Sequence, residues 1–229
     1  MVKNQIIVAL DFNNSQQALS LVDNLDPNKC RVKVGKELFT REGPEIVKNL
    51  VYKGFDVFLD LKFHDIPNTT ANACLAAADL GAWMVNVHVQ GGSKMMQTAK
   101  EKIINYDIKL IGVTVLTSMD SSDIAEIGIN TTPAEQVICL SKLAYNSGLD
   151  GVVCSPLEIS AIRKNIKGSF GLVTPGIRPV GSLSQDQKRV MTPKKAIDTG
   201  SDWLVIGRPI TQADNPVAVV DSIYKDINT

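Results

Sequence analysis

Four charged residues stand where an apolar pattern leads one to expect none. Asp11 ends the run Ile6-Ile7-Val8-Ala9-Leu10, Lys33 lies between Val32 and Val34, and Asp60 and Lys62 interrupt Val57-Phe58-Leu59-Asp60-Leu61-Lys62. An ionised group in such surroundings needs a partner or water. In extended chain alternate residues share a face, so Asp60 and Lys62 point one way and Val57, Leu59 and Leu61 the other. Two carboxylates and two ammonium groups are neutral as a set and stay ionised at modest cost. Such a set suits proton transfer or carbanion chemistry, because a lysine kept protonated by flanking carboxylates can act as a general acid. Each residue alone is explained equally well by a structural ion pair; their recurrence on successive apolar runs favours chemistry.

A second concentration lies further along, in Thr174-Pro175-Gly176-Ile177-Arg178-Pro179 and Ile206-Gly207-Arg208-Pro209. Glycine lets backbone N–H groups approach an anion and arginine supplies a charged fork, so these two glycine- and Arg-Pro-bearing elements predict a phosphate site. Gln187 is a weaker candidate for one more hydrogen bond there. No metal site is expected: His64 and His88 have no second histidine at ligand spacing. A carboxylate site through Asp60 and Asp65 is possible by residue type, but Lys62 between them would repel a cation. No cofactor motif is present either.

These residues need elements to position them. Eight short Val/Ile/Leu/Phe-rich runs recur: Gln5 to Asp11, Cys30 to Gly35, Phe55 to Lys62, Trp83 to His88, Lys109 to Leu116, Gly151 to Ser155, Gly171 to Pro175 and Trp203 to Gly207. They are about 28 residues apart, the length of a strand, a helix and two loops. The stretches between them carry helical periodicity and end signals, with Ser15 and Pro156 at helix starts and Gly81, Gly148 and Gly200 at C-caps. Thr117 to Asp150 leaves room for an extra helix near Ser121 to Ile127 before one that begins near Pro133. Alternation of this kind predicts a parallel sheet, and eight units in 229 residues predict a closed (β/α)8 TIM barrel, one domain over residues 1–229. A doubly wound sheet is the alternative, but no G-x-G-x-x-G follows the first strand. In a barrel the C-terminal strand ends carry the site, and the loops after strands seven and eight carry phosphate.

Composition narrows the function classes. The 24 basic and 24 acidic side chains cancel, which counts against a nucleic-acid partner and leaves room for a small anion held by a few cations. Cys30, Cys74, Cys139 and Cys154 show no finger or close-pair spacing and read as free, buried thiols. The first residues lack a signal peptide's apolar stretch, and no apolar run is long enough to span a bilayer, so a cytoplasmic protein with no membrane partner is expected.

Asp60-Leu61-Lys62-Phe63-His64-Asp65-Ile66-Pro67-Asn68-Thr69 resembles the signature of the orotidine 5'-phosphate decarboxylases, which make UMP in pyrimidine biosynthesis. The likeness extends to Val8-Ala9-Leu10-Asp11, Val32-Lys33-Val34-Gly35, Val115-Leu116-Thr117-Ser118 and both Gly-Arg elements, and is greatest to the compact bacterial form. The resemblance implies metal-free, cofactor-free decarboxylation with Lys62 as proton donor to C6 and Asp60 against the departing carboxylate. It further implies a homodimer in which Asp65 and Thr69 reach the partner's site, with Asp65 completing the charge network. Asp11 and Lys33 would bind the ribose, Thr117 and Ser118 would face the pyrimidine, and Arg178, Gln187, Gly207 and Arg208 would hold the phosphate. The Arg178 to Met191 segment would be a lid. Two other readings stay open. One is a metal-dependent sugar-phosphate decarboxylase or aldolase of the same barrel group, sharing Asp-x-Lys-x-x-Asp; the other is a non-catalytic nucleotide-monophosphate sensor. The longer His-Asp-Ile-Pro-Asn-Thr continuation disfavours the first and the intact Asp60/Lys62 pair the second.

Overall fold

In the computed structural model, which describes residues 4–179 and 190–229, eight parallel strands pair in sequence order and the first closes on the last. They are β1 (Ile6–Ala9), β2 (Cys30–Gly35), β3 (Val57–Phe63), β4 (Met84–His88), β5 (Lys109–Val113), β6 (Gly151–Val153), β7 (Gly171–Thr174) and β8 (Trp203–Ile206). Helices on the outside cover the sheet, so both faces of the strands are buried, which is why their sequences are nearly continuous apolar runs. The expected (β/α)8 barrel is therefore the observed one.

Alternation along the strands sorts the side chains into two clusters. Ile7, Phe58, Met84, Ile111 and Val173 fill the barrel interior. Their neighbours Ile6, Val8, Val32, Val57, Leu59, Val85 and Leu110 pack outward on the helices. Below the interior layer Trp83 and Trp203 meet edge to face, with centroids 5.4 Å apart, and the Arg31 guanidinium lies over Trp83. At the mouth ends of β2, β3 and β4 the inward positions are polar. Lys33 follows Arg31, Asp60 follows Phe58 and Asn86 follows Met84, so the same period that makes the core also delivers a charged layer at the mouth.

Several boundaries differ from those the sequence predicts. β1 ends at Ala9 and β5 at Val113, because the last residues of those runs leave the ladder to form the rim loops. Asn14 caps the helix Ser15–Val22, its side chain accepting from the Gln17 N–H, so the cap stands one residue before Ser15. Gly200 is a left-handed C-cap, whereas Gly81 and Gly148 stand one residue beyond the caps Leu80 and Ser147. The extra helix is present as Ser121–Glu126, and the next runs over Pro133–Asn146; both start with a capping box. Gly151 sits so close to β7 that a Cβ on it would lie 2.1 Å from the Gly171 carbonyl oxygen, so no side chain is tolerated there. Three cysteines are buried, but Cys139 is exposed, contrary to the expectation of four buried thiols, because it lies on the outer face of Pro133–Asn146. Among the described residues no helix is long and apolar enough to cross a membrane.

Candidate active site

β1, β2 and β3 bring four of the predicted residues together. The Lys33 ammonium lies 3.0 Å from Asp11 Oδ1 and 3.4 Å from Asp60 Oδ2, and the Lys62 ammonium lies 2.6 Å from Asp60 Oδ1. Each oxygen of Asp60 thus faces one ammonium group. Asp60 and Lys33 are buried, while the Asp11 side chain is 65% exposed at the rim. Burial alone would push the Lys33 pKa down, but Asp60 and then Asp11, by charge and hydrogen bonding, hold it above the ordinary lysine value. Burial would likewise raise Asp60, yet Lys33, Lys62 and a hydrogen bond from Asn86 keep its carboxyl below the usual carboxylate range. The pair is therefore charged, desolvated and held by hydrogen bonds from both sides, the condition under which buried ions are tolerated.

Asp60 and Lys62 do share the mouth, though not by simple alternation. Pairing of β3 with β4 slips between Leu59 and Phe63, and Lys62 takes φ +54, the one non-glycine residue with positive φ among those described. Leu61 still packs outward against the core, as the period predicts.

The second concentration lies across the barrel mouth. Arg178 is buried, donates from Nη1 to the Ile177 carbonyl at 2.9 Å, and buries an Nε that has no hydrogen-bond partner among the described residues. Burial first, and then the charge of Arg208, lower its pKa. Arg178, Arg208, Gly176 and Gly207 line one cavity with Asp11, Lys33, Asp60 and Lys62, about 570 Å³ in volume, floored by Phe58, Val113, Val153, Val173 and Val205. An apolar slot with acid–base groups on one side and guanidinium groups on the other suits a flat, anionic molecule. A more open groove of about 710 Å³ runs between the helix Ser15–Val22 and residues 214–217, but its lining is neutral apart from Asp214, so no charges converge there.

Not every predicted residue joins the cavity. Thr117 lines it, while Ser118 is exposed and does not. Asp65 and Thr69 are exposed outside the lining, the Asp65 carboxylate accepting the Ile66 N–H and its carbonyl the Thr70 hydroxyl. Gln187 and most of the Arg178 to Met191 segment lie outside the described residues; at its ends the Arg178 N–H donates to the Met191 carbonyl at 2.9 Å. His64 and His88, distant in sequence, pack with ring centroids 5.4 Å apart and planes tilted by 32°, yet no three His, Cys, Asp or Glu side chains among the described residues could hold a metal. Cys154 is fully buried, as expected of a small apolar residue. Asn86 and Gln212 were not anticipated. A lone amide inside Met84-Val85-Asn86-Val87-His88 was the available signal for the first; nothing in the sequence marks the second.

Comparison with known proteins agrees with this geometry. Residues 4–223 match the model of the family described as Orotidine 5'-phosphate decarboxylase / HUMPS family. Proteins named orotidine 5'-phosphate decarboxylase from Pseudoalteromonas translucida and Psychromonas ingrahamii are each 59% identical over 226 residues, 97% of this chain and 97% of theirs. The crystal structure of orotidine 5'-phosphate decarboxylase from Lactobacillus acidophilus superposes with a TM-score of 0.89 at 42% identity, covering 99% of this chain and 100% of that one. An uncharacterised protein from Geobacillus kaustophilus follows at a TM-score of 0.84, 38% identity, and 97% and 100% coverage. A match that leaves only short ends of the chain outside the family model, on a barrel of the same shape, means that this chain belongs to the orotidine 5'-phosphate decarboxylase / HUMPS family.

Proposed function

We propose that this chain decarboxylates orotidine 5'-monophosphate to UMP in de novo pyrimidine biosynthesis, using neither metal nor cofactor. The observation that carries the proposal is the buried Asp60 carboxylate held between two ammonium groups in the same cavity as Arg178 and Arg208. The names of relatives at 59% identity point the same way.

With the phosphate held by Arg178, Gly207, Arg208 and Gln187, the pyrimidine would lie over the apolar floor beside Thr117 and Ser118. The ribose would meet Asp11 and Lys33, and the substrate carboxylate would face Asp60. Two like charges about 4 Å apart at an effective dielectric near 20 repel by roughly 4 kcal/mol, so departure of neutral CO2 removes a repulsion. As the C6–carboxylate bond breaks, its electron pair stays on C6 and moves toward the Lys62 ammonium, which then donates a proton to C6. Both effects accelerate the reaction only as far as charge moves between ground and transition state. Phosphate binding at the far side supplies energy that holds the base in this position.

A homodimer belongs to the same proposal. Asp65, Ile66 and Thr69 are all exposed and lie outside the cavity lining of their own chain, which leaves them available to a second copy. In that arrangement Asp65 and Thr69 would serve the partner's site. Mixing Lys62→Ala with Asp65→Ala protein would restore turnover only if sites are shared. A cytoplasmic location is also proposed, consistent with four unpaired thiols.

The deciding assay is purified protein with orotidine 5'-monophosphate in EDTA, followed by the ultraviolet change to UMP. Sustained turnover is expected. Turnover that EDTA abolishes would favour a metal-dependent sugar-phosphate enzyme, and binding without turnover a sensor; either overturns the proposal.

A further inference from the structure

We infer that Asn86 is a positioning residue for the reaction, holding Asp60 and Lys62 in their working geometry through one bond to each. The inference rests on the decarboxylase reading above. Asn86 is fully buried at an interior position of β4, just above Met84. A buried amide is costly unless its polar atoms are paired. Both are paired with these two residues: Nδ2 donates to Asp60 Oδ1 at 2.7 Å, and Oδ1 accepts the Lys62 N–H at 2.8 Å.

The strand register explains why a side chain is needed there. Leu59 pairs with Val85 and the next partners are Phe63 and Val87, so Asp60, Leu61 and Lys62 face the single residue Asn86. Such a bulge interrupts the ladder and leaves backbone groups to be satisfied otherwise. The Asn86 amide oxygen takes the Lys62 N–H in place of a backbone carbonyl. It thereby holds Lys62 at φ +54, a left-handed conformation that a residue with a Cβ rarely adopts. From that backbone the Lys62 ammonium reaches Asp60 Oδ1, the same oxygen that the Asn86 NH2 group grips. Being neutral, Asn86 orients the carboxylate without altering the balance of two acids and two bases. An apolar side chain like Met84 or Ile111 would satisfy the core equally well and leave both groups unheld.

The test compares wild-type protein with Asn86→Asp and Asn86→Ser, measuring kcat, KM, UMP affinity, the pH dependence of kcat and the thermal melt. Asn86→Asp keeps the acceptor for the Lys62 N–H but sets a second carboxylate against Asp60, so one of the two takes up a proton. Its acidic limb in kcat should move to higher pH, with kcat at neutral pH down about 100-fold, the size expected for a displaced catalytic group. Asn86→Ser removes the amide without adding charge and should lower kcat comparably with UMP affinity unchanged. Wild-type kcat and pH profiles in both variants overturn the inference, as does a loss of activity that only tracks the folded fraction. Wild-type protein that does not turn over substrate overturns the functional reading instead.

Discussion

Lys33→Met tests whether the charge network is held together as its geometry requires. At 3.4 Å and an effective dielectric near 20, the attraction between Lys33 and Asp60 is about 5 kcal/mol, an upper figure because removing Lys33 also removes its own desolvation. The bond to Asp11 adds little, since that carboxylate is largely exposed and screened. What remains is a buried Asp60 with one ammonium partner, and breaking such a pair costs about 3–5 kcal/mol. For a chain of this length that lowers Tm by roughly 10 °C. The pH dependence has a definite sign. In the wild type the Asp60 pKa is depressed, so its contribution to stability is complete above the ordinary carboxylate value of about 3.9 and is lost only as pH falls through the depressed value. Without Lys33, the largest of the influences that offset burial is gone and the Asp60 pKa rises. The Tm gap between wild type and variant is therefore widest near neutral pH and narrows as the pH falls through the variant's raised value. Circular-dichroism melts at about pH 7.5 and about pH 4.5 measure both quantities. A gap of the same size at the two pH values, or none at either, would refute the reasoning.

Lys62→Ala should cut kcat by about 10²- to 10⁴-fold, the usual share of a general acid, while leaving UMP affinity nearly intact. Arg208→Ala should instead raise KM by about 10- to 100-fold through loss of a charged hydrogen bond to phosphate; equal, mild effects from both variants would mean that the roles are misassigned. Under native conditions a thiol reagent should modify one cysteine, the exposed Cys139, and all four after denaturation. Burial pushes the Cys30 and Cys74 thiols up to about 12 and raises Cys154 as well, so fast native reaction of more than one thiol would contradict the described packing.

Much of this protein is written locally. The eight apolar runs and the helical stretches between them depend on neighbours two, three or four residues apart, so the barrel could be read from the chain, whereas Asp60 and Lys62 share the mouth through a bulge that period alone does not give. Once eight strands close in order, Lys33 and Asp11 have to arrive beside Asp60, and the Gly-Arg loops have to share their cavity. The rest depended on contacts that no spacing encodes. Asn86 meets Lys62 and Asp60 from 24 and 26 residues away, through a slip in register that alternation does not foresee. His64 and His88 pack together although nothing in their spacing pairs them, and Asp65 and Thr69 lie outside the cavity lining of their own chain. Strand ends and the exposure of Cys139 likewise followed from where the ladder stops and which helix face is covered. Residue type and period determine which side of a strand or helix a group occupies; only the closed barrel, with its bulge, decides which groups from different elements come within bonding distance.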